Sequence, residues 1–365
     1  MENKNIIITR KIQLLIDSED AEVVKQAKAQ LYQWQNICFR AANMIMSHQF
    51  IQEQVKDFFY LTEDIKLKLT DQKKDEDGIL TLSKEGATYH VLSQHFKGQV
   101  PMNMMGNLNH SLLSYFNKEK TAYWKGEKSL RNYKKNIPMP FGAEVISKFS
   151  LTPDNRNYSF KLFQIPFRTY LGRDKSDKKI MLERIRTGVL KLRASHLQLV
   201  DGKVFLLAAI QIEKERHVLD PAVIAEATLA IEHPITVKIG KYEHAIGNKE
   251  EFLHRRLAIR AAIYRVKKGA VFNRGGHGKK RKMKSLDDYK QQEKRYVEQK
   301  LHVYSRMLIN FCIKHQAATL LLVNQRAKEE LAKEDPFLLQ NWSYCSLKEK
   351  IGYKAEKAGI QVIVE

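Results

Sequence analysis

The residues of this chain that could do chemistry stand at the ends of apolar runs and in one dense block of cations. Residues 319–324 read Thr-Leu-Leu-Leu-Val-Asn. They are entered from an amphipathic pattern and left into polar residues, which predicts a buried central strand of a parallel sheet. Asn324 then occupies the strand's carboxyl end, and the crevice outside such ends is where open α/β sheets bind ligands and metals. A carboxylate there would hold a divalent cation; the Asn324 amide brings no negative charge. The second feature is a glycine turn running into Arg274, Lys279, Lys280, Arg281, Lys282 and Lys284. Six cations in eleven residues, on backbone that glycine lets approach closely, suit a phosphate chain. Just before them Lys249, Arg256, Arg260 and Lys267 share one helical stripe, with Arg255 beside it.

Other constellations lead nowhere. Cys38, Cys312 and Cys345 have no paired spacing, so neither a disulfide framework nor a zinc ribbon is expected, and all three read as small buried hydrophobes. His233, His277 and His315 lack a second ligand at zinc-like spacing. Gly275, Gly276 and Gly278 follow no strand and precede no Gly-Lys-Ser/Thr, which excludes a nucleotide-binding loop. No nucleophile elbow occurs either.

The elements that must position these residues follow from periodicity. Residues 5–16 alternate as one strand, and residues 17–20 cap one or two long helices over 21–54. Helical patterns over 58–69, 88–96 and 107–124 complete a helical insert whose loop, 71–78, is charged. From Trp124 to Pro221 the texture is one of short strands and turns, with runs over 158–165, 189–193, 196–200 and 204–212. Asp201-Gly202 between two of them is the clearest hairpin signal. The first strand is expected to join this β-barrel-like region. Pro221 marks a boundary. Beyond it come strands over 227–231, 236–239 and 242–246, a helix over 249–267, the basic loop, a helix over 286–315, the 319–324 strand, a helix over 346–359 and a last strand over 361–364. That order is the one found in ribonuclease H-like folds.

With 365 residues and 43% hydrophobic content the chain can build several cores. Its 63 Lys plus Arg against 41 Asp plus Glu give +22, the footprint of a polyanion binder. No run approaches the length of a membrane span and no signal peptide precedes the first strand, so a cytoplasmic protein, nucleoid-associated when on DNA, is expected.

From about residue 226 onward the sequence resembles the RuvC-like half of the TnpB family, the transposon-encoded RNA-guided nucleases, and of their miniature type V CRISPR effector relatives. The likeness is carried by Ile246-Gly-Asn-Lys-Glu-Glu-Phe-Leu-His-Arg-Arg256, by the Gly275-Gly-His-Gly-Lys-Lys-Arg block, and by Trp342-Ser-Tyr-Cys-Ser-Leu-Lys-Glu-Lys-Ile-Gly-Tyr-Lys-Ala-Glu-Lys-Ala-Gly-Ile360. The resemblance implies an α+β multidomain architecture. A first strand (1–20) and residues 126–220 would form a wedge β-barrel around an inserted helical recognition domain (21–125). A ribonuclease H-like, RuvC-like α/β domain (221–365) would follow.

Where the sequence departs from that family, it loses carboxylates. The first family motif is an Asp within Ile-Asp-x-Gly, whereas this chain reads Leu229-Ala-Ile-Glu-His-Pro-Ile-Thr, which makes Glu232 an approximate substitute. The second is a Glu where Asn324 stands. The third lies beyond a zinc ribbon, and the sequence stops at Glu365 before either. The resemblance therefore implies a guide RNA and a double-stranded DNA target, with no catalytic metal and no zinc. It points to DNA binding without cleavage as a transcription regulator, acting by R-loop occupancy or by recruiting a partner: a second copy, RNA polymerase or a sigma factor. Trp342, Tyr344 and Tyr353 are the candidate docking side chains. A residual or dimer-complemented nuclease and an RNA-binding remnant are the alternatives.

Overall fold

The computed structural model describes residues 5–59, 83–172, 176–230, 232–272, 275–323 and 343–365. Asn324, Trp342, Arg274, and the expected 58–69 helix and 71–78 loop almost entirely, lie outside these residues. Two compact units form, one of residues 7–212 and one of residues 213–365 that also takes in Asn5 and Ile6.

In the first unit, β1 (Asn5–Ile16) lies in mid-sheet. Its partners come from far along the chain: β5 (Ile165–Tyr170) on one side and β8 (Lys203–Glu213) on the other. The full order is β2-β7-β8-β1-β5-β4-β3, with β2 Met139–Phe141, β3 Ile146–Leu151, β4 Tyr158–Leu162 and β7 Ser195–Val200; β6 (Lys191–Leu192) adds to β8. Pairing among the described residues is thus an open path from β2 to β3. Alternation places Ile6, Ile8, Ile12 and Leu14 of β1 in the core. Asp201 and Gly202 take the positive φ angles, 50° and 74°, of a two-residue hairpin turn between β7 and β8. The 158–165 run is two strands rather than one. Phe163 and Gln164 turn the chain at φ 50° and 68°, a conformation that no glycine advertises. A short helix that the periodicity did not predict, α4 (Lys178–Arg186), follows β5.

Three helices make the insert: α1 (Ala21–Phe59), α2 (Lys84–Phe96) and α3 (Met102–Trp124). Asp20 accepts the backbone N–H of Glu22 at 2.8 Å, and Ser83 that of Gly86 at 3.1 Å, which fixes the starts of α1 and α2. Leu31, Trp34, Ile37, Cys38, Ala41 and Ile45 recur every three or four residues and are all buried.

The second unit is a five-stranded sheet, β11-β10-β9-β12-β13, with β9 Asp220–Thr228, β10 Ile235–Ile239, β11 Tyr242–Ile246, β12 Ala317–Leu322 and β13 Gln361–Val364. Strand β12 is parallel to both neighbours; β9, β10 and β11 are antiparallel. Helices α5 (Lys249–Val271), α6 (Gly276–Lys314) and α7 (Tyr344–Ala358) complete it. Ala225, Leu320, Leu308, Cys312, Leu347 and Ile351 are core residues of this unit.

Three expectations change here. Pro221 lies inside β9, which begins at Asp220 and stops at Thr228 instead of spanning 227–231. A register irregularity between Ala317 and Thr319 on the neighbouring strand accommodates the residue that lacks an N–H. The basic block is not a loop: α6 starts at Gly276, because Lys, Arg and Met are good helix formers and only the glycines at its start resist. Cys345 is exposed, whereas Cys38 and Cys312 are buried.

Candidate nucleic-acid interface

Two places in the second unit bear on function: the carboxyl ends of β9 and β12, and the α5/α6 hairpin. The strand ends are level. Leu322 is in register with Ala227, and the Val323 N–H donates to the Ala227 carbonyl at 3.0 Å. Thr228, half-buried, is therefore the last residue of β9 beside the exit of β12, from which the sequence continues to Asn324. Glu232 is not at this place. It is exposed, four positions past the strand, and its carboxylate accepts Lys249 Nζ at 2.8 Å while its carbonyl accepts the Lys249 N–H at 2.9 Å. That bond to Lys249 holds the Glu232 carboxyl below the usual range. Its employment is to anchor the start of α5, and Thr228 takes over the strand-end position. The exposed carboxylate nearest along the strand is Glu226, two residues earlier on the same face, paired across to Leu321 and Lys238. Sequence reading missed it. Among the described residues no three His, Cys, Asp or Glu side chains converge to hold a metal ion.

The motif Ile246-Gly-Asn proves to be structural. Gly247 has φ 81°, and a Cβ there would lie 2.8 Å from Pro234 and Tyr304. Asn248 caps α5 by accepting the Glu250 N–H at 2.8 Å.

The hairpin is clamped by half-buried charges between its helices. Arg256 and Arg260 donate to one oxygen of Glu293 at 2.9 and 3.0 Å. Burial alone would raise the Glu293 carboxyl; the two guanidinium groups outweigh it and keep it low. Tyr296 donates to the Glu251 carbonyl at 3.0 Å, and Arg255 lies over the Tyr296 ring at 5.3 Å. Lys282 Nζ reaches the Gly269 carbonyl at 2.8 Å, capping the last turn of α5.

Of the cations singled out in the sequence, Lys249, Arg256, Arg260 and Lys282 thus hold the fold. Lys267, Lys280, Arg281 and Lys284 are exposed; the Lys279 side chain lies outside the described residues. Two exposed cations not singled out, Arg265 and Lys268, join them. From Phe252 to Leu286 there is no Asp or Glu at all. Periodicity found the helix but not the partners, because Glu293 lies a whole hairpin away in sequence.

The docking side chains separate in the same way. Tyr344 is buried in the core of the unit with Ile351, which withdraws it from any docking surface. Tyr353 is exposed, as are Ile363 and Val364 on β13, the edge strand of the sheet. No helix of the described residues is long and apolar enough to cross a membrane.

No protein-family model matches the sequence. The CRISPR-associated endodeoxyribonuclease Cas12f1 of Sulfoacidibacillus thermotolerans is 25% identical over 321 residues, covering 83% of this chain and 74% of that protein. A Cas12f1 endodeoxyribonuclease of Syntrophomonas palmitatica is 26% identical over 180 residues, 48% of this chain and 35% of that protein. A cryo-EM structure of a Cas12f1–sgRNA–target DNA complex matches 99% of this chain and 89% of that chain, with a TM-score of 0.66 at 14% identity. The chain is thus similar in sequence to Cas12f1 endodeoxyribonucleases, and its α+β fold is similar to that of Cas12f1.

Proposed function

We propose that this protein binds DNA under the direction of a guide RNA and does not cut it. Base pairing with the guide would read the target sequence, while the protein reads backbone shape and a short flanking motif. The observation that carries the reading is the uncharged strand end. Thr228 closes β9 level with the exit of β12, and the sequence then supplies Asn324. Cleavage by two divalent ions needs carboxylates that bridge them at this place. Among the described residues a residual nuclease would have to draw on Glu226, and one carboxylate falls short of a bridged pair.

In this reading the RuvC-like unit keeps its architecture as a clamp on nucleic acid. A bound R-loop that persists uncut regulates transcription in the cytoplasm, on the nucleoid, by blocking polymerase or by recruiting a second copy, RNA polymerase or a sigma factor. Tyr353 and the β13 edge are the surface offered to such a partner. Neither catalytic metal nor zinc takes part.

Sequencing the RNA that copurifies with the protein tests the reading. A defined scaffold followed by a guide segment, together with a mobility shift of duplex matching that guide, is the expected result. Heterogeneous cellular RNA and no sequence-dependent shift would overturn it.

A further inference from the structure

The solvent-facing side of α5 carries an apolar and aromatic stripe that folding does not use. Leu257, Tyr264 and Val271 are spaced seven apart and so fall on one line of the helix; Phe272, at the helix end with φ −74°, lies about 100° round from that line. Tyr264 is 67% exposed, and Val271 and Phe272 are each 80% exposed. Large apolar side chains so exposed and so aligned mark a contact surface. The charge around them decides what contacts it. The stripe lies in the middle of 35 residues, 252–286, that hold twelve Lys or Arg and no acid. The stripe of a second copy would bring the same cations against these, which disfavours a symmetric stripe-to-stripe contact. An occupant must be polyanionic and must also offer flat apolar faces, and unpaired nucleotides do both.

We propose that Tyr264 and Phe272 form a stacking platform for unpaired bases at the end of the α5/α6 hairpin, with Lys268, Lys280 and Lys284 on the phosphates. This rests on the nucleic-acid reading above and adds to it a specific ligand class: single-stranded stretches, from the guide or from the displaced DNA strand. Duplex hides its base faces and gains only the phosphate contacts. The shallow groove lined by Gly276, Lys280, Met283, Lys284 and Asp287 repeats the combination of cations and an apolar side chain on the first turns of α6, with one acid at its far end.

The test uses the full chain and short oligonucleotides, RNA or DNA, that carry an adenine analogue whose fluorescence stacking quenches. Binding to the wild type is expected to quench the analogue below its level in the free strand. Tyr264→Ala with Phe272→Ala should lose about tenfold or more in affinity for the single strand, with the added quenching. Duplex affinity should change less than about twofold, and the salt slope should stay, because no phosphate contact is removed. Tyr264→Phe should restore the quenching, and Val189→Ala, an exposed apolar residue elsewhere, should change nothing. Equal losses for strand and duplex, or quenching that survives in the double variant, would overturn the platform. Quenching confined to RNA assigns it to the guide, and quenching confined to DNA assigns it to the displaced strand. Guide-directed DNA binding without any quenching by the wild type would sink this proposal alone; quenching without guide-directed binding would sink the guided reading and leave the platform standing.

Discussion

Lys354 is the one buried charged side chain among the described residues. Its ammonium donates to Ser305 Oγ at 2.8 Å and to the His302 carbonyl, with no carboxylate among the groups that shift it. Burial, and after it the positive charges of Arg306 and Lys350, pull its pKa down to about 8. An unfolded lysine titrates near ~10.4, so between those values the unfolded chain holds the extra proton and stability rises with pH. Lys354→Met should therefore stabilise the protein at neutral pH by about 1 kcal/mol and remove that rise, read as melting temperature against pH. A less stable variant would show that the two hydrogen bonds outweigh the buried charge. Asn324→Glu makes a second residue-scale case. One carboxylate cannot assemble two bridged ions, so this variant should leave guide-matched DNA uncut on a gel with Mg²⁺ or Mn²⁺. Cutting would mean that other ligands already stand ready.

At the scale of elements, the α5/α6 hairpin depends on Glu293. Glu293→Ala leaves Arg256 and Arg260 facing each other without their shared carboxylate and should cost about 1–3 kcal/mol, discounted because Arg260 is partly solvated. Chemical denaturation measures it, and a change under about 0.5 kcal/mol would make the clamp ornamental. Neutralising the exposed Lys267, Lys280, Arg281 and Lys284 should instead leave stability alone and flatten the salt dependence of nucleic-acid binding by about three to four in slope. An unchanged slope would return these side chains to ordinary solvated surface. The sequence made β1, β7, β8, β10, β11 and β13 legible through alternation and, between β7 and β8, through Asp201-Gly202. It hid the turn at Phe163–Gln164, whose positive φ angles fall on residues with no special propensity for them, and it hid the start of β9 behind Pro221. It could not separate structural from exposed cations, because Arg256 and Lys267 differ only in what lies across the hairpin. At the strand end, Glu232 stood in for Thr228 because register cannot be read from one strand, and Asn324 lies outside the described residues.

At the scale of the whole molecule, a charge of +22 on a fold similar to that of Cas12f1 suits the long-lived occupancy of nucleic acid that we propose. If recruitment is part of the role, pull-down with guide and target present, followed by crosslinking, should find a partner against Tyr353 or β13. A complex of one chain, RNA and DNA alone would reduce the role to steric block. The central claim, binding without cutting, is tested most directly on a single labelled duplex. The protein, loaded with its copurified RNA, meets DNA matching the guide in the presence of Mg²⁺ or Mn²⁺, and native and denaturing gels are run from the same tube. The prediction is a shifted complex on the native gel and full-length strands on the denaturing gel at every protein concentration; metal-dependent, guide-dependent fragments would contradict it.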